Sequence, residues 1–207
     1  MAEVMVLVVV LAVAAATLFV LTYNGLTAAQ TRVVQGWSGI EVQLKRRHDL
    51  VPSLVTAVRS AMGHEDAMLA IVTESRERAM GALADGDTGE IARQEAELTG
   101  ALHKLIAYSE SFPEIKATGN IETFQRQVEE TEDQIAAARR LYNGNVQDLN
   151  RRILGIPGNL IAPMAGIGTA RSFELDPAEA RAVYAVPDVD LEGARGAAAR
   201  ISHGDRS

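Results

Sequence analysis

The stretch Ile121–Ile153 reads IETFQRQVEETEDQIAAARRLYNGNVQDLNRRI. Ile121, Phe124, Val128, Thr131, Ile135, Ala138, Tyr142, Asn145, Leu149 and Arg152 follow one another at alternating three- and four-residue steps. That is a heptad seam, and the charged residues between its members face the other way, so the stretch predicts a long amphipathic helix over about 121–153. An apolar stripe must be buried against another element, and the partners have to be found elsewhere in the chain. Thr131 and Asn145 are polar interruptions of the seam. Buried polar groups need hydrogen-bond partners and can fix the register of helix packing. A polar binding groove is the competing reading of both, and of Glu65 on an earlier segment.

Working back toward the N-terminus, three further segments carry the same period. Glu90 opens one with Ile91, Leu98, Leu102, Leu105 and Ile106, broken at Ser111-Phe112-Pro113. Before it, a segment from about Leu50 to Leu83 carries Leu54, Val58, Ala61, Met68, Val72, Ala79 and Leu83, with Glu65 and Ser75 on the same face. Gly63 weakens that helix locally. The run Asp85-Gly86-Asp87-Thr88-Gly89 is a turn by composition. The earliest stripe is Leu26, Ala29, Val33, Trp37, Ile40 and Leu44, expected to end near His48. Asp49 then reads as an N-cap and Pro52 as a first-turn residue of the next helix. Four amphipathic helices joined by short connections predict an antiparallel four-helix bundle with long helices over 24–155.

Ahead of the bundle, Val4–Leu21 holds no charge, no Pro and no Gly, and its only polar side chain is Thr17. About 18 residues make roughly 27 Å of helix, close to the hydrocarbon thickness of a bilayer. Tyr23 follows where an amphipathic ring suits the interface. Residues 1–23 are therefore expected to be a transmembrane anchor, contacting the lipid bilayer through residues 4–21. A signal peptide would open on a basic region, whereas this chain opens Met1-Ala2-Glu3; Ala12 and Ala14 still leave a cleavage reading open. Arg32, Lys45, Arg46 and Arg47 on the far flank favour a cytoplasmic bulk under the positive-inside rule.

On the C-terminal side, Gly155, Gly158, Gly166 and Gly168 with Pro157 and Pro163 mark an irregular apolar segment, 156–191, expected to pack on the bundle. Its Leu160–Ile167 portion suits an interfacial segment as well as a bundle cap. Residues 192–207 are rich in Gly, Ala and Arg and read as a flexible tail. No strand signal competes before the C-terminal part, so the chain is classed as all-α.

Composition narrows the function. The 207 residues hold 20 Lys+Arg against 27 Asp+Glu, a net charge of -7, which argues against nucleic acid as a partner. There is no Cys, which excludes disulfides, thiol nucleophiles and thiolate metal sites. The histidines are His48, His64, His103 and His203. A di-iron bundle needs Glu three residues before His on two helices, but Gly100 precedes His103 and Ala61 precedes His64 at that spacing. His64-Glu65 opens like a zinc-protease motif, yet Met68 stands where the second His belongs. No Gly-x-Ser-x-Gly elbow occurs, and Gly166-Ile167-Gly168 is too short for a dinucleotide fingerprint. No catalytic, cofactor-binding or metal-ligating residue is therefore assigned, and no cofactor is expected.

The remaining charges read as intramolecular. Lys45-Arg46-Arg47 lies about 24 residues, or roughly 36 Å, beyond Leu21, too far to reach lipid. Asp49, Glu110 or Glu114 are its expected partners, and Glu41, Glu74 or Glu65 those of Arg139-Arg140 and Arg151-Arg152. Trp37 is expected to anchor the core.

A longer series of residues points to a family. It comprises Tyr23-Asn24-Gly25-Leu26, then Trp37 through Val55 with Arg46-Arg47-His48-Asp49-Leu50-Val51-Pro52-Ser53-Leu54, and His64-Glu65. Glu110-Ser111-Phe112-Pro113-Glu114-Ile115-Lys116-Ala117, Thr131-Glu132-Asp133-Gln134-Ile135-Ala136, Ala138-Arg139-Arg140-Leu141-Tyr142-Asn143 and Asn150 complete it. In this order, from the anchor to about Ala162, the chain resembles the LemA family of bacterial membrane proteins. The resemblance implies a single N-terminal transmembrane helix and a soluble antiparallel bundle. It implies no established activity, although one magnetosome relative is linked to membrane remodelling. Phe112 stands where the family usually has Tyr, Ser53 where it has Asn, and Asp133 where Asn is common. Loss of the hydroxyl at Phe112 argues against a catalytic role there.

Three functions follow as expectations. The first is a non-enzymatic scaffold or protein-interaction module at the bacterial membrane, engaging other proteins or further copies of itself. The second is a membrane-remodelling protein. The third is an unrecognised hydrolase or metalloenzyme using His64, Glu65, Glu110 or the arginine pairs.

Overall fold

The computed structural model describes residues 1–62, 66–110 and 120–174. Every regular element among them is a helix: α1 Ala2–Met62, α2 Asp66–Asp85, α3 Thr88–Ser109, α4 Asn120–Leu154 and α5 Gly158–Met164. The first four form an antiparallel bundle. The Glu65 and His64-Glu65 readings, Gly63, the Ser111-Phe112-Pro113 break and the 192–207 tail lie outside the described residues, as does 175–191 of the C-terminal segment.

α1 corrects the expected boundary near His48. It runs unbroken for 61 residues, with Pro52 inside it, and no helix starts at Leu50. Pro52 has no N–H, so the His48 carbonyl four residues earlier loses its helical donor. Arg76 of α2 supplies one instead, its Nε 2.7 Å from that carbonyl oxygen. Val51, Leu54, Val55 and Val58 around the proline are all buried. Their burial stabilises the helix on either side of a residue that ordinarily costs it about 3 kcal/mol. The stop signal was real locally and was overridden by tertiary contacts.

The turn between α2 and α3 falls where composition placed it. Gly86 adopts φ +80, a conformation that favours glycine, and closes α2. Asp87 caps α3, its side chain accepting from the Gly89 and Glu90 backbone N–H groups at 2.8 and 3.1 Å.

Two apolar clusters fill the bundle. One joins Val51–Val58 of α1 with Leu69, Val72, Leu98, Leu102, Leu105 and Ile121, so all four long helices contribute. The other joins Leu26, Val33, Ile40 and Leu44 of α1 with Ile135, Tyr142, Leu149 and Ile153 of α4. Ala82 and Ile91 reach its upper edge, and Ile161, Ala162, Ile167 and Phe173 close it. The second cluster rests on a helix pair, and the C-terminal segment supplies the third wall a pair cannot provide.

Two sequence expectations shift here. Arg152 is exposed, while Val146 and Ile153 are buried in its stead. A straight helix turns 3.6 residues per turn, so a strict heptad drifts off the buried face over five repeats. Within the segment expected to be irregular, Gly158–Met164 forms a helix. Gly158 is required there: a Cβ would stand 1.9 Å from the Arg152 carbonyl oxygen.

The candidate membrane-spanning window lies in α1 and none of it is buried. Val4, Leu7, Leu11, Leu18 and Leu21 are all more than half exposed. The same helix carries Leu26, Ala29 and Val33 into the core, without a joint between them.

Candidate functional site: a buried ionic cluster

A set of deeply enclosed polar side chains lies between the two apolar clusters. Arg47 and His48 project from α1 and Glu95 from α3, and all three are buried to 2% exposure or less. One Glu95 carboxylate oxygen pairs with Arg47 Nη2. The other lies 2.7 Å from His48 Nε2. Arg47 Nη1 donates to Thr99 Oγ1 at 2.7 Å, and Thr99 Oγ1 donates to the Glu95 carbonyl at 2.9 Å. With Arg76 donating to the His48 backbone, three helices are tied at one level. Among the described residues, Arg47 Nε and the side-chain oxygens of Gln43 and Gln94 are buried without a hydrogen-bond partner.

Burial holds the Arg47 guanidinium down to about 10, opposed by the negative charge of Glu132, so it stays charged at neutral pH. Burial, then the Arg47 and Arg76 cations, push the His48 imidazole down to about 4, with Asp49 opposing. His48 is thus neutral at pH 7. Its contact with Glu95 is a hydrogen bond donated by Nε2–H, and Arg47 is the cation of the cluster. Burial of all three side chains leaves no open face from which an outside ligand could reach the carboxylate.

Periodicity contained a signal for this site. Glu95 stands on the stripe Ile91, Leu98, Leu102, and Arg47 and His48 continue Ile40, Leu44 toward Val51. Grouping Lys45-Arg46-Arg47 as a single patch concealed it. The three diverge around the helix: Lys45 is exposed, Arg46 meets Glu130 at 3.1 Å, and Arg47 turns inward. Asp49 and Glu110 are not their ion-pair partners, and Glu114 lies outside the described residues.

The polar seam residues separate. Thr131 is buried, but its hydroxyl donates to the Val128 carbonyl of its own helix at 2.8 Å. Asn145 is half-buried and donates to the Arg32 carbonyl at 2.9 Å, tying α4 to α1. Beside it the two helices approach closely at Gly36, where a Cβ would stand 3.2 Å from Tyr142 Cα. The structure does not bring Thr131 and Asn145 together in one site.

Two asparagines that the periodicity left unassigned clamp the C-terminal segment. Asn150 donates to the Ala170 carbonyl and accepts from the Ala170 N–H, both at 2.9 Å. Asn143 does the same for Phe173, at 3.1 and 2.9 Å. Tyr142 donates to the Arg171 carbonyl at 3.0 Å, and Arg139 meets Glu174 at 3.1 Å. Phe173 is thereby set edge-on to Trp37, ring centroids 5.2 Å apart, and Trp37 also meets Tyr142. The Trp37 N–H goes to Glu41, which was expected to serve an arginine.

At the end of α4, Asp148 gathers three arginines: Arg32 at 3.0 Å, Arg151 at 2.6 Å and Arg152 at 2.8 Å. The hydrogen bonds from Arg152 and Arg151 hold its carboxyl down to about 2. His103 meets Glu132 at 2.9 Å on the surface, and His64 and His203 lie outside the described residues. Among the described residues, no group of three or more His, Asp or Glu is placed to hold a metal ion.

Fold and cluster together define a helical bundle borne on a candidate membrane anchor, cross-linked internally by a buried Arg–Glu–His set. Residues 36–190 match the LemA family, and the chain belongs to that family. No curated protein matches it significantly.

Proposed function

We propose that this chain is a membrane-anchored, non-enzymatic bundle acting as a scaffold or protein-interaction module at a bacterial membrane. The observation that carries this reading is the closure of the Arg47–His48–Glu95 cluster. These side chains are at most 3% exposed, and their charges are used between helices. Buried polar sets of this kind specify register. Reaction chemistry needs groups that converge on an accessible position, and this cluster offers none. What remains for contact is the outer surface of a bundle that α1 carries without a joint. The bulk lies on the cytoplasmic side under the charge asymmetry already noted.

Crosslinking the full chain in cells, followed by mass spectrometry and combined with protease treatment of intact cells, tests the proposal. Reproducible crosslinks from Lys45 or Lys104 to one partner protein or to a second copy, with the bundle protected from external protease, are expected. Crosslinks confined within single chains would contradict the scaffold role.

A further inference from the structure

The end of the bundle nearest the apolar window has a surface that the interior packing does not explain. α4 runs antiparallel to α1 and ends at Leu154, and a turn leads into α5. A cleft of about 350 Å³ is lined by Leu21, Thr22 and Gly25 of α1, by Arg152 of α4 and by Ile156 and Pro157 of that turn. The turn is therefore level with the point where the apolar run of α1 ends at Leu21 and Thr22, Tyr23 and Asn24 follow. The guanidinium of Arg152 lies 3.5 Å from where a Gly25 Cβ would stand. That is four residues, or roughly 6 Å, beyond Leu21, the depth of a lipid headgroup.

The same turn exposes large apolar side chains. Leu154 is 73% exposed, Ile156 87%, Leu160 67% and Met164 77%. Leu160 and Met164 share the outer face of α5, while Ile161 and Ala162 on its inner face close the core. Close by, Arg32, Arg151 and Arg152 surround the single carboxylate of Asp148, a local cationic excess. Exposed apolar side chains beside arginines, next to the end of an apolar run long enough to span a bilayer, form an interfacial pattern.

We propose that the α4–α5 turn is a second membrane contact. Leu154, Ile156, Leu160 and Met164 enter the interface of the bilayer that holds α1, and Arg151 and Arg152 meet anionic lipid phosphates. The contact rests on the anchor reading of α1. With two attachments, the bundle is fixed in tilt and rotation about the α1 axis, which a single helix leaves free.

The chain has no cysteine, so one introduced thiol can be labelled uniquely. Full-length Leu160→Cys, Ile156→Cys, Val9→Cys and Leu141→Cys chains would carry an environment-sensitive fluorophore in vesicles of phosphatidylcholine and phosphatidylglycerol. Quenching by headgroup-proximal nitroxide lipids is read for each; Leu141 is an exposed apolar residue far from the turn. The Leu160 and Ile156 probes should be quenched at least about threefold more than the Leu141 probe. In phosphatidylcholine alone, or with Arg151→Gln and Arg152→Gln, that excess should fall about twofold. A quenched Val9 probe with unquenched Leu160 and Ile156 probes overturns the second contact and leaves the anchor standing. Probes unquenched at Val9 as well refute the anchor itself. Leu160 and Ile156 probes shielded from water yet unquenched by lipid assign the face to a protein neighbour and overturn the proposal. A headgroup-independent excess overturns the role of the arginines.

Discussion

Arg76 occupies, through its Nε, the hydrogen-bonding place that Pro52 leaves empty at the His48 carbonyl. This contact, with the burial of Val51, Leu54, Val55 and Val58, lets α1 continue past a proline and ties α2 beside it at that height. Arg76→Leu should destabilise the fold by about 1–3 kcal/mol, the cost of an orphaned buried acceptor. Pro52→Ala restores the helical N–H, so in that background the same Arg76 substitution should cost markedly less. Denaturant unfolding of the four proteins of this cycle, in detergent, gives the coupling directly. Equal costs in both backgrounds would refute the explanation.

The Arg47–Glu95 pair predicts an asymmetry between single and double replacement. Arg47→Met or Glu95→Leu alone leaves one buried charge and should cost about 3–5 kcal/mol. The double replacement removes both charges, leaves only the neutral His48 N–H unpaired, and should cost less than either single replacement. Thermal unfolding followed by circular dichroism distinguishes the cases. The double variant should also keep every crosslink of the original chain, since the pair serves packing.

His48 makes stability depend on pH in a defined window. Its imidazole sits at about 4 in the fold against 6.5 when free. Between those values the unfolded chain binds more protons, so stability rises with pH across the window and falls as pH drops from 6.5 toward 4. The full effect is on the order of 3 kcal/mol. His48→Gln should flatten this stretch of the stability profile, whereas the carboxyl of Asp148 titrates below it, at about 2.

The asparagine clamp is testable residue by residue. Asn143→Ala removes both side-chain bonds to Phe173 while Asn150 keeps its hold on Ala170. Amide exchange at Phe173 should accelerate by about one to two orders of magnitude, the equivalent of two lost hydrogen bonds. Exchange at Leu98 and Leu102, in the other apolar cluster, should not change. The indole fluorescence of Trp37, the chain's only tryptophan, should report the loss of the Phe173 ring.

Much of this architecture was legible in the amino-acid sequence because apolar spacing is a local property. The stripe Leu26–Leu44 and the seam from Ile121 to Leu149 describe single helix faces, and a face needs no knowledge of its partner. The continuation of α1 through Pro52 was not legible, because the donor that permits it, Arg76, comes from another helix. The C-terminal clamp escaped for the same reason: Asn143 and Asn150 are seven residues apart on α4, but their partners are backbone groups with no side-chain signature. Glu95 was visible only as an acidic residue on an apolar stripe. Its meaning depended on Arg47 turning inward while Lys45 and Arg46 turned out.

The proposed scaffold requires that α1, which continues without a joint into the bundle, stay in lipid. Peptide mapping of alkaline-washed membranes tests it most directly. Peptides covering Val4–Leu21 should be recovered in the same washed fraction, and in the same proportion, as those of α2, α3 and α4. Bundle peptides released into the soluble fraction, with Val4–Leu21 missing from the chain that carries them, would contradict the account.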